Sequence, residues 1–146
     1  MATGGNEVSV QIVGVFQQQE LSEGEEASPL LVLRDGADRE LYVPIGSCEG
    51  LAIHLALEQR VVARPITHDL GIRILEKLST TIERVVVDDL SDGTYYASLH
   101  LVAGEGAVSV PAKPGDAVAL ALRAEAPVFV TEEVFSRASQ AGSDGF

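Results

Sequence analysis

Four short segments hold the side chains whose types could do chemistry together: Glu49, the run Arg64-Pro65-Ile66-Thr67-His68-Asp69-Leu70, the tripeptide Asp92-Gly93-Thr94, and the corner Lys113-Pro114-Gly115-Asp116. Carboxylates gathered from such segments can hold a divalent cation, which then bridges to phosphate. The competing explanation is structural. Glu49, Asp69 and Asp116 each fall in the first turn of a predicted helix, where the helix dipole favours an anion. Thr67 is a good N-cap, because its hydroxyl can accept from an orphan amide. Other catalytic patterns are absent: no Gly-rich phosphate loop ending in Lys-Ser/Thr, no GxSxG elbow, no HExxH, no paired CxxC and no EF-hand loop. Cys48 and His54 lie six residues apart on one predicted helix, which does not put sulfur beside imidazole.

The elements that must position these residues follow a repeated pattern. Val43–Leu55 (VPIGSCEGLAIHL) returns as Val110–Leu122 (VPAKPGDAVALAL), offset by 67 residues at both ends, with Glu49 falling on Asp116. Each copy is the end of a strand, a tight corner and the start of an apolar helix. The flanks extend the likeness: the turn Asp35-Gly36-Ala37-Asp38 lands near Ala103-Gly104-Glu105-Gly106, and Pro65-Ile66-Thr67 is echoed by Pro127-Val128-Phe129-Val130-Thr131. The expected fold is α+β: one domain made of two β3α2 repeats sharing a mixed or antiparallel sheet.

Along the chain, residues 1–6 are expected as a disordered lead-in and 140–146 as a flexible tail, with the domain over 7–139. Val8, Val10 and Ile12 alternate with polar residues and predict a strand to about Gln17. Residues 18–28 hold Glu20, Glu23, Glu25 and Glu26 and read as a solvated loop. Leu30–Leu33, a turn at Asp35-Gly36 and Glu40–Ile45 form a hairpin, with Pro44 at a strand end or edge. A helix follows over Cys48–Glu58, apolar on nearly every face and so expected to be buried. The next starts at Thr67, with Ile72, Leu75 and Leu78 on one face; Gly71 inside it needs a close neighbour to be explained. Ile82–Leu90 and Thr94–Val102 form a second hairpin about Ser91-Asp92-Gly93, and His100 points away from the Leu99 side. Val108–Pro111 is the third strand. Asp116 is expected to cap one helix and Thr131 the last, with Val130 and Phe135 as a hydrophobic staple.

Composition narrows the classes. The chain is 46% hydrophobic, has no Trp, and carries a formal net charge of −12, with only ten basic residues in no cluster. Such a balance favours solubility over nucleic-acid binding, which usually rests on Lys and Arg neutralising phosphates. One cysteine excludes an internal disulfide. No run approaches a membrane span and the N-terminus lacks a signal-peptide pattern, so a cytoplasmic protein with no membrane partner is expected.

The segments quoted above resemble the bifunctional nuclease family, a small α+β domain found in bacteria and plants. The resemblance covers about Val8 to Ala138. Arg64-Pro65-Ile66-Thr67-His68-Asp69-Leu70 matches the family's Arg-Pro-x-Thr-His-Asp-Leu at every fixed position. Ile45-Gly46-Ser47-Cys48-Glu49 is similar to its Ile-Gly…Glu segment, with Gly50 in place of the usual Ala. Asp92-Gly93-Thr94-Tyr95-Tyr96-Ala97 resembles Asp-Gly-Thr-Phe-x-Ala. One motif departs: where the family has Asp-x-Arg-Pro-Ser-Asp-Ala, this chain has Pro111, Lys113 and Gly115 at the acidic, Arg and Ser positions. Lys113 keeps the charge but loses the planar fork.

The resemblance implies hydrolysis of DNA or RNA. For that chemistry the catalytic candidates are Glu49, His68, Asp69 and Asp116, the substrate contacts Arg64, Thr67 and Lys113, and the expected cofactor a divalent ion, Mg²⁺ or Mn²⁺. The alternative is a non-catalytic, homo-oligomeric binding or scaffold module, a dimer first among its assemblies, in which the Thr-His-Asp segment is structural.

Overall fold

The computed structural model describes residues 6–18 and 28–144, with side chains described to residue 140. The acidic loop expected over 18–28 falls, for residues 19–27, outside the described residues, as do residues 1–5 of the lead-in and the last two of the tail.

Seven strands form one mixed sheet in the order β3-β2-β1-β7-β4-β5-β6. They are β1 (Glu7–Phe16), β2 (Leu30–Asp35), β3 (Glu40–Pro44), β4 (Thr80–Ser91), β5 (Thr94–Ala103), β6 (Gly106–Ala112) and β7 (Val128–Thr131). Four helices accompany them: α1 (Ser47–Leu57), α2 (Thr67–Lys77), α3 (Pro114–Ala124) and α4 (Glu132–Asp144). Period-two alternation turns Leu31 and Leu33, Leu41 and Val43, Val85 and Val87, and Leu99 and Leu101 to one face. There they share a core with Ile53, Val118, Val134 and Phe135 of the helices. A bulge between Ile12 and Gly14 shifts the register of β1. The core-facing positions therefore change parity along the strand, from Val8, Val10 and Ile12 before the bulge to Val15 after it.

The α+β class and the mixed sheet agree with the sequence reading, and so do both hairpins. The element order is not that of two β3α2 units. The first half runs β-β-β-α-α, but the second runs β-β-β-α-β-α, because Val128–Thr131 is a strand. β7 lies antiparallel to β1 and parallel to β4, so it is the strand that joins the halves. The last helix continues to Asp144, through most of the residues expected as a tail.

Helix α1 is not buried all round. Ala52 and Ile53 are buried, while Leu51 and Leu57 are exposed. Its apolar composition hid an ordinary one-sided helix. Likewise Ile72 and Leu75 of α2 pack on the core, but Leu78 lies past the helix end and is exposed. Gly71 has its explanation: a Cβ there would sit 3.2 Å from Leu120 Cδ2, so the glycine lets α2 close on α3.

Candidate functional site

The helix starts differ in detail from the sequence expectation. The N-cap of α2 is Ile66, not Thr67, and Thr67 is the first helical residue with an exposed side chain. The capping is done by Asp69 instead, whose Oδ2 accepts from the Ile66 amide at 3.0 Å. In α3 the N-cap is Lys113, and Asp116 is the third helical residue rather than the cap. In α1 the N-cap is Gly46, and Glu49 at the third position accepts from its amide at 3.3 Å.

The other oxygen of Asp69, Oδ1, accepts from Arg123 Nε at 2.7 Å. Arg123 is nearly buried and also donates to the carbonyls of Ala119 (2.9 Å) and Ala52 (3.1 Å). One guanidinium thus ties α1, α2 and α3 together. Burial pushes the Asp69 carboxyl up, but the Arg123 bond and the Ile66 amide outweigh it and leave the group below its usual 3.8. Sequence reasoning missed Arg123, since a basic residue in the last turn of a helix already has a dipole rationale.

His68 is 8% exposed, and its Nε2 lies 2.8 Å from Asp116 Oδ1. This pair links the starts of α2 and α3. Nearby, the helices come as close as backbone allows. A Cβ on Gly115 would fall 2.8 Å from Glu49 Cβ and 3.1 Å from Ile45 Cγ2, so only glycine fits without movement.

Around this contact lies a cavity of about 370 Å³. Its walls come from Ser28 and three longer segments: Pro44, Ile45, Gly46 and Glu49; Gly93, Thr94 and Tyr95; and Lys113, Pro114 and Gly115. Glu49 supplies a carboxylate, Lys113 an ammonium, and Thr94 and Tyr95 hydroxyls. Burial pushes the Tyr95 phenol up, keeping it a neutral donor. The N-caps of α1 and α3 both line this space, but the cap amide of α1 is taken by Glu49 and α3 begins with Pro114, which has no N–H.

The seven candidate residues are therefore divided. Glu49 and Lys113 line this cavity. Asp69 lines a different one, with Arg73 and Arg123. His68 and Asp116 pair between helices and line neither. Arg64 and Thr67 are exposed and line neither cavity. Among the described residues no three His, Cys, Asp or Glu side chains come together to hold a metal ion. Asp69 is committed to Arg123, and Asp116 to His68. Nor is any helix among the described residues long and apolar enough to cross a membrane.

Comparison with known proteins agrees with the motif segments. Residues 31–142 match the model of the bifunctional nuclease domain. An uncharacterised protein of Mycobacterium tuberculosis is 38% identical over 132 residues, covering 88% of this chain and 74% of that one. Bifunctional nuclease 1 of rice (Oryza sativa subsp. japonica) is 23% identical over 108 residues, 72% of this chain but only 33% of the plant protein. With most of its length matched by that domain, and the matched span running from β2 into α4, this chain belongs to the bifunctional nuclease domain family.

Proposed function

We propose that the chain is a non-catalytic binding module of this family, holding a small phosphate-bearing ligand, such as a mononucleotide or the end of a single strand, in the cavity between the two helix corners. The observation that carries the reading is the division of the candidates: four acid–base groups were available, and three of them hold helices together. The cavity keeps one carboxylate and one ammonium. Lys113 suits an anion, while Glu49 suits a hydroxyl or amino donor on the same ligand. A net charge of −12 opposes a long polyanion and favours a small one. The correspondence of the corners supports a single shared site: α3 begins and ends 67 residues after α1 (47 to 114, 57 to 124), so we infer that the cavity forms where the equivalent points of two repeats meet.

The hydrolytic reading, cleavage of a DNA or RNA phosphodiester with Glu49 as base and Lys113 on the phosphate, is favoured by one observation. Three segments that resemble family motifs line the same cavity. Two assays separate the readings. Titration calorimetry with nucleoside monophosphates should show binding that Lys113→Ala abolishes. Plasmid DNA and RNA incubated with Mg²⁺, Mn²⁺ or EDTA should show no cleavage beyond that of Glu49→Ala. Metal-dependent cleavage lost in a folded Glu49→Ala protein establishes the hydrolytic reading instead, and absence of any nucleotide binding removes the binding one.

A further inference from the structure

Strand β6 ends the sheet, and every residue from Gly106 to Pro111 is exposed, including Val108 at 54% and Val110 at 40%. Its sequence, GAVSVPA, has no charge. The opposite edge is protected: β3 carries Glu40, bound by Arg34, and ends at Pro44. Edge strands are normally blunted by charge, by proline or by cover, and β6 has only Pro111, near its end, among the described residues.

The hairpin geometry fixes which backbone groups are open. Gly104-Glu105 joins β5 to β6, closed by the Ala103–Gly106 pair. In such a hairpin the groups of Gly106, Val108, Val110 and Ala112 turn to β5, and those of Ala107, Ser109 and Pro111 turn outward. Pro111, which has no N–H, accordingly sits where β5 requires none.

We infer that β6 pairs antiparallel with β6 of a second copy about a two-fold axis at Ser109. A strand and its copy related by a two-fold axis are self-complementary. The register follows from the centre: Ser109 meets Ser109, Val108 meets Val110, Ala107 meets Pro111, and Glu105 meets Lys113. The two Ser109 residues exchange two bonds about the axis. Those two bonds centre the pairing; beyond them Pro111 has no N–H to give, and its ring, facing the partner's Ala107, ends the ladder. At each end an acid of one copy lies opposite a base of the other. Glu105 and Lys113 are both exposed and enter no ion pair among the described residues. A chain of net charge −12 associates with itself most readily through an uncharged stretch flanked by opposite charges. The inference does not rest on the binding reading. Lys113 serves either the cavity or the partner's Glu105, so association is measured without ligand.

The test is sedimentation velocity on the full chain from about 5 to about 500 μM, a range suited to a weak dimer. The wild type should dimerise with rising concentration. Glu105→Lys and Lys113→Glu should each raise the dimer Kd by about tenfold or more, because each creates two like-charged cross-strand contacts. The double variant should return it to within about threefold of wild type. Ser109→Pro, which removes only outward donors, should be monomeric with an unchanged circular dichroism spectrum. A wild type that stays monomeric throughout overturns the inference. So does a dimer insensitive to the charge reversals, or a double variant no tighter than the single ones.

Discussion

The corners that begin α1 and α3 share a sequence pattern and a place in their helices, yet use it differently. Both have an acid at the third helical position. In α1 that acid, Glu49, turns back on its own helix and meets the Gly46 amide. In α3 the acid, Asp116, reaches out to His68 on α2. At the second position α1 has the exposed Cys48, while α3 has Gly115, pressed against Glu49. Both corners line the cavity, but Glu49 stays on it while Asp116 turns away to the neighbouring helix. Equivalence along the chain thus fixes a helix start but not its chemistry, which depends on what the neighbouring helix presents.

This contrast can be strained from several sides. The largest effect should come from Arg123→Met, which leaves Asp69 and the Ala52 carbonyl without their donor. Urea unfolding should show a loss of about 2–3 kcal/mol. The acid limb should move as well. A carboxyl held below its usual value contributes stability that is complete above the unfolded pKa and is lost as pH falls through the folded one. Without Arg123 the burial of Asp69 remains but only the Ile66 amide is left to offset it, so acid unfolding should begin at higher pH. Circular dichroism against pH checks it.

Next in size is Gly115→Ser, expected to cost about 1–2 kcal/mol because the added atoms meet Glu49 and Ile45. Cys48→Ser, at the matching position of α1, should stay within about 0.5 kcal/mol. Equal costs would mean that the corners are packed alike. Asp116→Asn should destabilise by about 1 kcal/mol, since it weakens a bond to a buried histidine. Glu49→Gln should change the unfolding free energy by no more than a few tenths of a kcal/mol, since its contact at 3.3 Å is exposed. A larger loss for Glu49→Gln than for Asp116→Asn would reverse the assignment of the two corners.

Much of the fold is legible in the sequence, and the reasons are local. Asp35-Gly36 and Asp92-Gly93 mark their hairpins because the turns need what these residues supply; Asp92 and Gly93 both adopt positive φ. The oddity of Gly71 and the cap at Thr131, whose Oγ1 accepts from Val134, were equally readable. What stayed hidden depends on distant partners. Four residues, VFVT, are too short a run to announce β7, which exists because β1 and β4 flank it. Leu51 and Leu57 look like core residues and are exposed. The candidate site was legible as a set of segments and not as a set of contacts. Glu49 and Lys113 do share a cavity, but nothing local shows that Arg123, 54 residues beyond Asp69, takes that carboxylate out of reach.

The position of β7 sets the order in which the molecule can be completed. A chain emerging from its N-terminus can build β1 to β3 and β4 to β6 as separate antiparallel meanders, each contiguous in sequence. Until β7 arrives, the outer margins of β1 and β4 stand open. The closing strand then pairs Thr131 with Glu7, among the most widely separated partners in the chain. Sheet closure is a late, non-local event of the kind that slows folding. A nascent or truncated chain ending before Val128 exposes two long strand margins at once, and these are the places where one growing copy can capture another.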